Sequence, residues 1–95
     1  MTFEEKIDYA LLGLYKQTKD GTMLKIKQAF ESNNQELAID ELRQIKEIIE
    51  AKEFAIFQVE PKGIDFRGQI TDKGIAFVET DSFSNQGTSI IDLEQ

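Results

Sequence analysis

The stretch from Gln35 to Lys52, with the six residues beyond Glu53, constrains the fold more than any other part of the chain. Ala38, Leu42, Ile45 and Ile49 recur at i, i+4, i+7 and i+11, the spacing of one buried face of an α-helix. Leu37 and Ile48 flank that face, and no glycine or proline interrupts the run. The opposite line is Glu36, Asp40, Arg43, Glu47 and Glu50. Asn34 is a suitable N-cap, because its short polar side chain can accept from the first free amides. The period then changes. Phe54-Ala55-Ile56-Phe57-Gln58-Val59 is rich in aromatic and β-branched residues, as strands are.

The next residues turn that strand back on itself. Glu60-Pro61-Lys62-Gly63 carries proline at the second and glycine at the fourth position of a type I turn. Beyond it Ile64, Phe66, Gly68 and Ile70 alternate with Asp65, Arg67 and Gln69, a strand with one apolar face. The two runs predict a β-hairpin. Thr71 then caps a short helix that has Asp72 in its first turn and Ile75, Ala76, Phe77 and Val78 on its apolar side. Gly74 is unfavourable there, by about 1 kcal/mol against alanine.

Upstream, Phe3, Ile7, Ala10, Leu11 and Leu14 form a helical face over Phe3 to Thr18. Thr2 and Glu5 match a capping box, and Asp20-Gly21 ends the helix. Tyr9, Leu12 and Tyr15 widen the stripe, which predicts burial on more than one side. Leu12 and Tyr15 are also candidates for a contact between two copies. Thr22 to Ser32 reads as a second helix with Thr22 as N-cap, or as a short strand where Met23 to Lys27 alternates. Ser32-Asn33-Asn34 is a break.

Composition narrows the chemistry. The 95 residues suffice for one domain with one modest core. There is no cysteine and no histidine. Disulfides, the common zinc patterns and Ser–His or Cys–His nucleophiles are therefore excluded. No apolar run approaches the ~20 residues that span a bilayer, and the acidic start has no signal-like apolar segment. A cytoplasmic, non-membrane protein is expected. The net charge of −7 is unevenly spread. Residues 1–30 hold five lysines against four acids, 31–60 three bases against eight acids, and 61–95 three against six. Duplex-binding domains usually present a basic face.

The order helix, helix, helix, strand, turn, strand resembles a winged helix-turn-helix domain of the bacterial regulator kind. Leu42 to Phe54 is similar to the exit from the third helix in that family, although Lys52-Glu53-Phe54 lacks the usual glycine. Ile70-Thr71-Asp72-Lys73-Gly74-Ile75 resembles the leucine-threonine-x-x-glycine element that follows the wing. The resemblance implies an α+β fold: a three-helix core, a two-stranded wing and a short C-terminal helix. The domain would cover residues 1–80, with 81–95 as a polar tail. It also implies DNA contacts from Gln35, Arg43, Gln44 and Lys46 on the third helix and from Lys62 and Arg67 on the wing. Glu36, Asp40 and Glu47, standing among those readers, instead suit a basic protein partner.

The expected function is accordingly that of a small non-enzymatic module acting through a protein partner or through self-association. Sequence-specific DNA binding and transcription regulation is the alternative, and an enzyme the least favoured reading. Asp40 with Glu41, and Glu79 with Asp81, would make at most a weak hard-cation site. Their carboxylates are more simply read as solvated. No glycine-rich phosphate cradle is present, so no cofactor and no metal is expected. Ile90-Ile91-Asp92-Leu93 is expected to pack back on the domain or to remain loose, in preference to capturing a partner.

Overall fold

The computed structural model describes residues 1–31, 38–59, 61 and 66–94. In chain order its elements are α1 (Phe3–Thr18), β1 (Leu24–Lys25), α2 (Ile26–Glu31), α3 (Ile39–Ala51), β2 (Ala55–Val59), β3 (Phe66–Ile70), α4 (Asp72–Thr80) and α5 (Ile90–Glu94). The fold is α+β, with the three strands in one antiparallel sheet ordered β1-β3-β2.

Local chemistry sets most of the boundaries. At the head of α1 the Thr2 hydroxyl accepts from the Glu5 amide at 3.2 Å, and the Glu5 carboxylate accepts from the Thr2 amide at 2.8 Å. This is the reciprocal capping box. At the head of α4 the Thr71 hydroxyl accepts from the Gly74 amide at 3.1 Å. Gly21 takes a φ of +96° after α1, a conformation nearly free only for glycine.

Two expected caps differ. The α3 cap is Ala38, extended and with no side-chain cap bond. The helix therefore starts at Ile39 rather than at Gln35, and Ala38 is exposed instead of lying on the inner face. The extended backbone at Ala38 takes it off the helical period before its face can be buried. Asn34, Gln35 and, in the turn, Glu60, Lys62 and Gly63 lie outside the described residues. Thr22 does not cap a helix. Its hydroxyl lies 2.5 Å from the Gln17 carbonyl, back at the end of α1. The strand option holds just after it, where Leu24 pairs with Gly68 and Lys25 with Arg67.

The core lies between α1, α2, α3 and the inner face of the sheet. Ile7, Leu11 and Leu14 meet Ile26 and Phe30, Leu42, Ile45 and Ile49, and Phe66 and Ile70. β3 carries the expected alternation, with Phe66, Gly68 and Ile70 buried and Arg67 exposed. A Cβ on Gly68 would stand 2.8 Å from Phe57 Cε1 and 3.1 Å from Leu14 Cδ2. The Phe57 ring therefore occupies the space that a side chain at 68 would need. Beyond the two-residue β1, the next free β3 amide is satisfied by a side chain. The buried Thr18 hydroxyl accepts from the Ile70 amide at 2.9 Å and donates to the Leu14 carbonyl at 2.6 Å.

Phe54 joins α3, β2 and α4. Glu53 has a φ of +62°, which turns the chain out of the helix where a glycine would be the easier residue. The Phe54 amide then donates to Ile49 O at 3.1 Å, and the Phe54 carbonyl accepts from Thr71 N–H at 3.0 Å. A Cβ on Gly74 would lie 2.1 Å from that carbonyl oxygen. The glycine that looks unfavourable in a helix is thus required by this close approach. Gly74→Ala is expected to lower stability by about 3 kcal/mol, because backbone rather than a flexible side chain must move. A urea midpoint unchanged by the substitution would contradict this packing.

Candidate interaction surface

The outer face of α3 follows from its inner one. With Leu42, Ile45 and Ile49 buried, the helical period turns Asp40, Arg43, Gln44, Glu47 and Glu50 outward, and all five are exposed. The cations beside them are partly drawn away. Lys46 is half-buried; its Nζ lies 3.2 Å from the Glu50 carboxylate and 5.4 Å from the centre of the Phe66 ring. Lys6 on α1 pairs at 2.6 Å with Glu41. Arg67 is exposed on β3 opposite Gln58. Of the expected contact residues, Gln35, Glu36 and Lys62 lie outside the described residues.

Leu12 and Tyr15 sit on α1 and are half-buried. The Tyr15 hydroxyl donates to the Glu79 carboxylate at 2.8 Å, tying α1 to α4, and Lys19 Nζ lies 3.9 Å from the centre of its ring. Leu12 lines a groove of about 230 Å³ with Met1, Tyr9, Ile90 and Leu93, edged by Glu5, Asp8 and Glu94. Lys16 pairs with Glu94 at the end of α5.

Residues 81–94 lie on the domain through polar ties that periodicity does not reveal. Asp8 is 6% exposed. Its carboxylate accepts from the amides of Phe83 at 2.8 Å and Ser84 at 2.9 Å, and from the Ser84 hydroxyl at 2.5 Å. The buried Ser82 hydroxyl donates to Asn85 O at 2.7 Å. Phe83 joins Phe54 and Phe77 in an aromatic cluster, with centroids 5.1 Å apart for Phe77 and Phe83. Ile90 is buried in the same core as α1. The one available signal was an acid, Asp8, at a helix position adjoining Ile7, followed much later by a Ser-rich segment.

Of the acidic pairs considered for a cation, Glu79 and Asp81 are otherwise engaged. Glu79 accepts from Tyr15, and one Asp81 oxygen accepts from the amides of Gly87 at 2.9 Å and Ser82 at 2.8 Å. Among the described residues no three acidic, histidine or cysteine side chains gather around a common point. Nor, among them, is any helix long and apolar enough to cross a membrane.

Two measurements test these ties. Asp8→Ala is expected to cost about 2–3 kcal/mol by stranding charge-assisted donors, and amide exchange should quicken first at Phe83 and Ser84. Asp81 is held below the ordinary aspartate range by the Gly87 amide, then the Ser82 amide. Its folded pKa lies under the unfolded one, so its stabilisation is present at neutral pH and is lost as pH falls through the folded value. Glu5 and Asp20 act in the same direction, through the amides and then the hydroxyls of Thr2 and Thr22. Acid unfolding followed below about pH 4 should therefore be shallower in Asp81→Asn. An identical slope would remove Asp81 from the account.

No family model, no curated protein and no solved structure matches the chain, so no relative's activity bears on this surface.

Proposed function

We propose that this is a winged-helix module that works by binding a macromolecule, a protein or a second copy of itself, and that it catalyses no reaction. The order α1-β1-α2-α3-β2-β3, with β1 added to the hairpin at β3, supports the winged-helix reading. The observation that carries the functional reading is the outer face of α3. Asp40, Glu47 and Glu50 are exposed along it, while Lys46 is folded back onto Glu50 and the Phe66 ring. A helix offered to a phosphate backbone would gain from the reverse arrangement, because phosphate neutralisation supplies much of duplex affinity. An acidic helix instead complements a basic protein surface and repels anions.

A second reading, direct DNA binding, draws on Arg43 and Gln44, which are exposed on the same helix, and on the exposed Arg67 of β3. Titration of labelled mixed-sequence duplex by fluorescence anisotropy at low salt separates the two. The parent chain is expected not to bind, whereas an Asp40→Lys, Glu47→Lys double variant should gain weak, salt-sensitive affinity. Salt-dependent binding by the parent that is lost in Arg43→Ala, Lys46→Ala would overturn the protein-interaction reading in favour of DNA.

A further inference from the structure

The two edges of the sheet are unlike each other. The β1 edge is two residues long, half-buried and carries Lys25. Shortness and an edge lysine are the usual protections against strand pairing. β2, at the other edge, has neither. Ala55-Ile56-Phe57-Gln58-Val59 contains no charge and no proline in a chain that is 31% charged. Ile56 is 62% and Val59 55% exposed.

The phase of the ladder says which main-chain groups of β2 point outward, without a hydrogen-bond partner among the described residues. Thr71 N–H donates to Phe54 O, and Ala55 stands opposite Ile70. Ala55 and Ile70 are therefore a non-hydrogen-bonded pair, and the Ile70 amide indeed turns the other way, to Thr18. In an antiparallel ladder the bonded pairs alternate with these. Ile56 and Gln58 accordingly spend their N–H and C=O on β3, while those of Ala55, Phe57 and Val59 point away from the sheet.

We infer that this edge pairs with the β2 edge of a second copy of the chain, antiparallel about a two-fold axis at Phe57, making one continuous sheet from two. In that register Phe57 faces Phe57 of the second copy, Ala55 faces Val59, and Ile56 faces Gln58. Every outward amide meets an outward carbonyl, since Ala55, Phe57 and Val59 are the residues that fall at bonded positions. Ile56 gains an uncharged neighbour, and Val59 gains Ala55 as cover. Pro61, without an N–H, falls opposite Glu53 and ends the ladder. An uncharged strand cannot attract a charged partner over a distance, and here an identical strand supplies the matching set of groups. A two-fold pairing is also closed, so it stops at two copies. The inference deepens the self-association arm of the proposed function and rests on the sheet; its failure would leave the protein-partner arm, which rests on the outer face of α3, standing.

The test combines light-scattering mass with amide exchange across a concentration series. Mass is expected to rise from one chain toward two with concentration, and the amides of Ala55, Phe57 and Val59 should become protected in step. Val59→Pro deletes an outward N–H while leaving the bonds to β3 intact. It should keep the fold by circular dichroism and remain a single chain. Ile56→Lys, which places like charges near the two-fold, should weaken pairing without a backbone change. A parent that stays monomeric with those amides unprotected at the highest concentration overturns the proposal. So does a dimer that both variants leave unaltered, which would move the contact elsewhere, for example to the groove beside Leu12. Open-ended aggregates, or protection only when an unrelated extended peptide is added, would also overturn it.

Discussion

The main chain of Phe54 is the point on which the rest of the structure depends. Its amide closes the end of α3 on Ile49, and its carbonyl receives Thr71 at the start of α4. Its ring stacks on Phe77 with centroids 4.4 Å apart. A helix, a strand and a second helix thus converge within van der Waals distance of one peptide unit. Such a junction tolerates little volume, so the helix passing closest has glycine at Gly74. The positive φ of Glu53 is part of the same turn. Strain of this kind persists where surrounding contacts over-determine the backbone.

Around that junction, buried polar groups join segments distant in sequence. Thr18 on α1 completes the β3 ladder where β1 runs out, and Asp8, also on α1, holds Phe83 and Ser84. Both satisfy donors that would otherwise be desolvated without a partner, the more costly error in a small core. No buried side-chain polar atom is left unpaired among the described residues. α1 therefore acts as a spine: its apolar stripe faces the core while its few polar residues on that side fasten the sheet and the C-terminal segment. Among the described residues, the outer face of α3 and the outward edge of β2 are two surfaces not committed to the fold. They differ in kind. The first is charged and the second carries no charged side chain.

Much of this was legible because it depends on near neighbours in the chain. Thr2 with Glu5, Thr71 with Gly74, the face of Leu42, Ile45 and Ile49, and the alternation of Phe66, Gly68 and Ile70 are local patterns that packing left intact. The outward direction of Asp40, Arg43, Gln44 and Glu47 followed from that same inner face. Ala38 kept the helical spacing but left the helix, since spacing alone cannot mark where the backbone becomes extended. The role of Thr22 went to the end of α1, because a carbonyl there was nearer than a helix amide. Tyr15 widens the apolar stripe of α1, and only the fold brings Glu79, far along the chain, to its hydroxyl.

The sequence by itself determined most of the elements and their order, with β1 only as one option and α5 not at all. Period, caps and turn residues act over a few bonds, and they already require an α+β chain with an acidic outward line on its longest central helix. Only the tertiary structure decided that Gly74 must lack a side chain, that Asp8 holds a segment from the other end of the chain, and that β2 forms a sheet edge with Ile56 and Val59 exposed. These follow from which groups meet after long loops close, and a one-dimensional pattern carries no record of distances between residues it does not place side by side. Leu42, Ile45 and Ile49 thus keep the buried face read from their period, without Ala38. Which main-chain groups β2 turns outward depends on its register against β3.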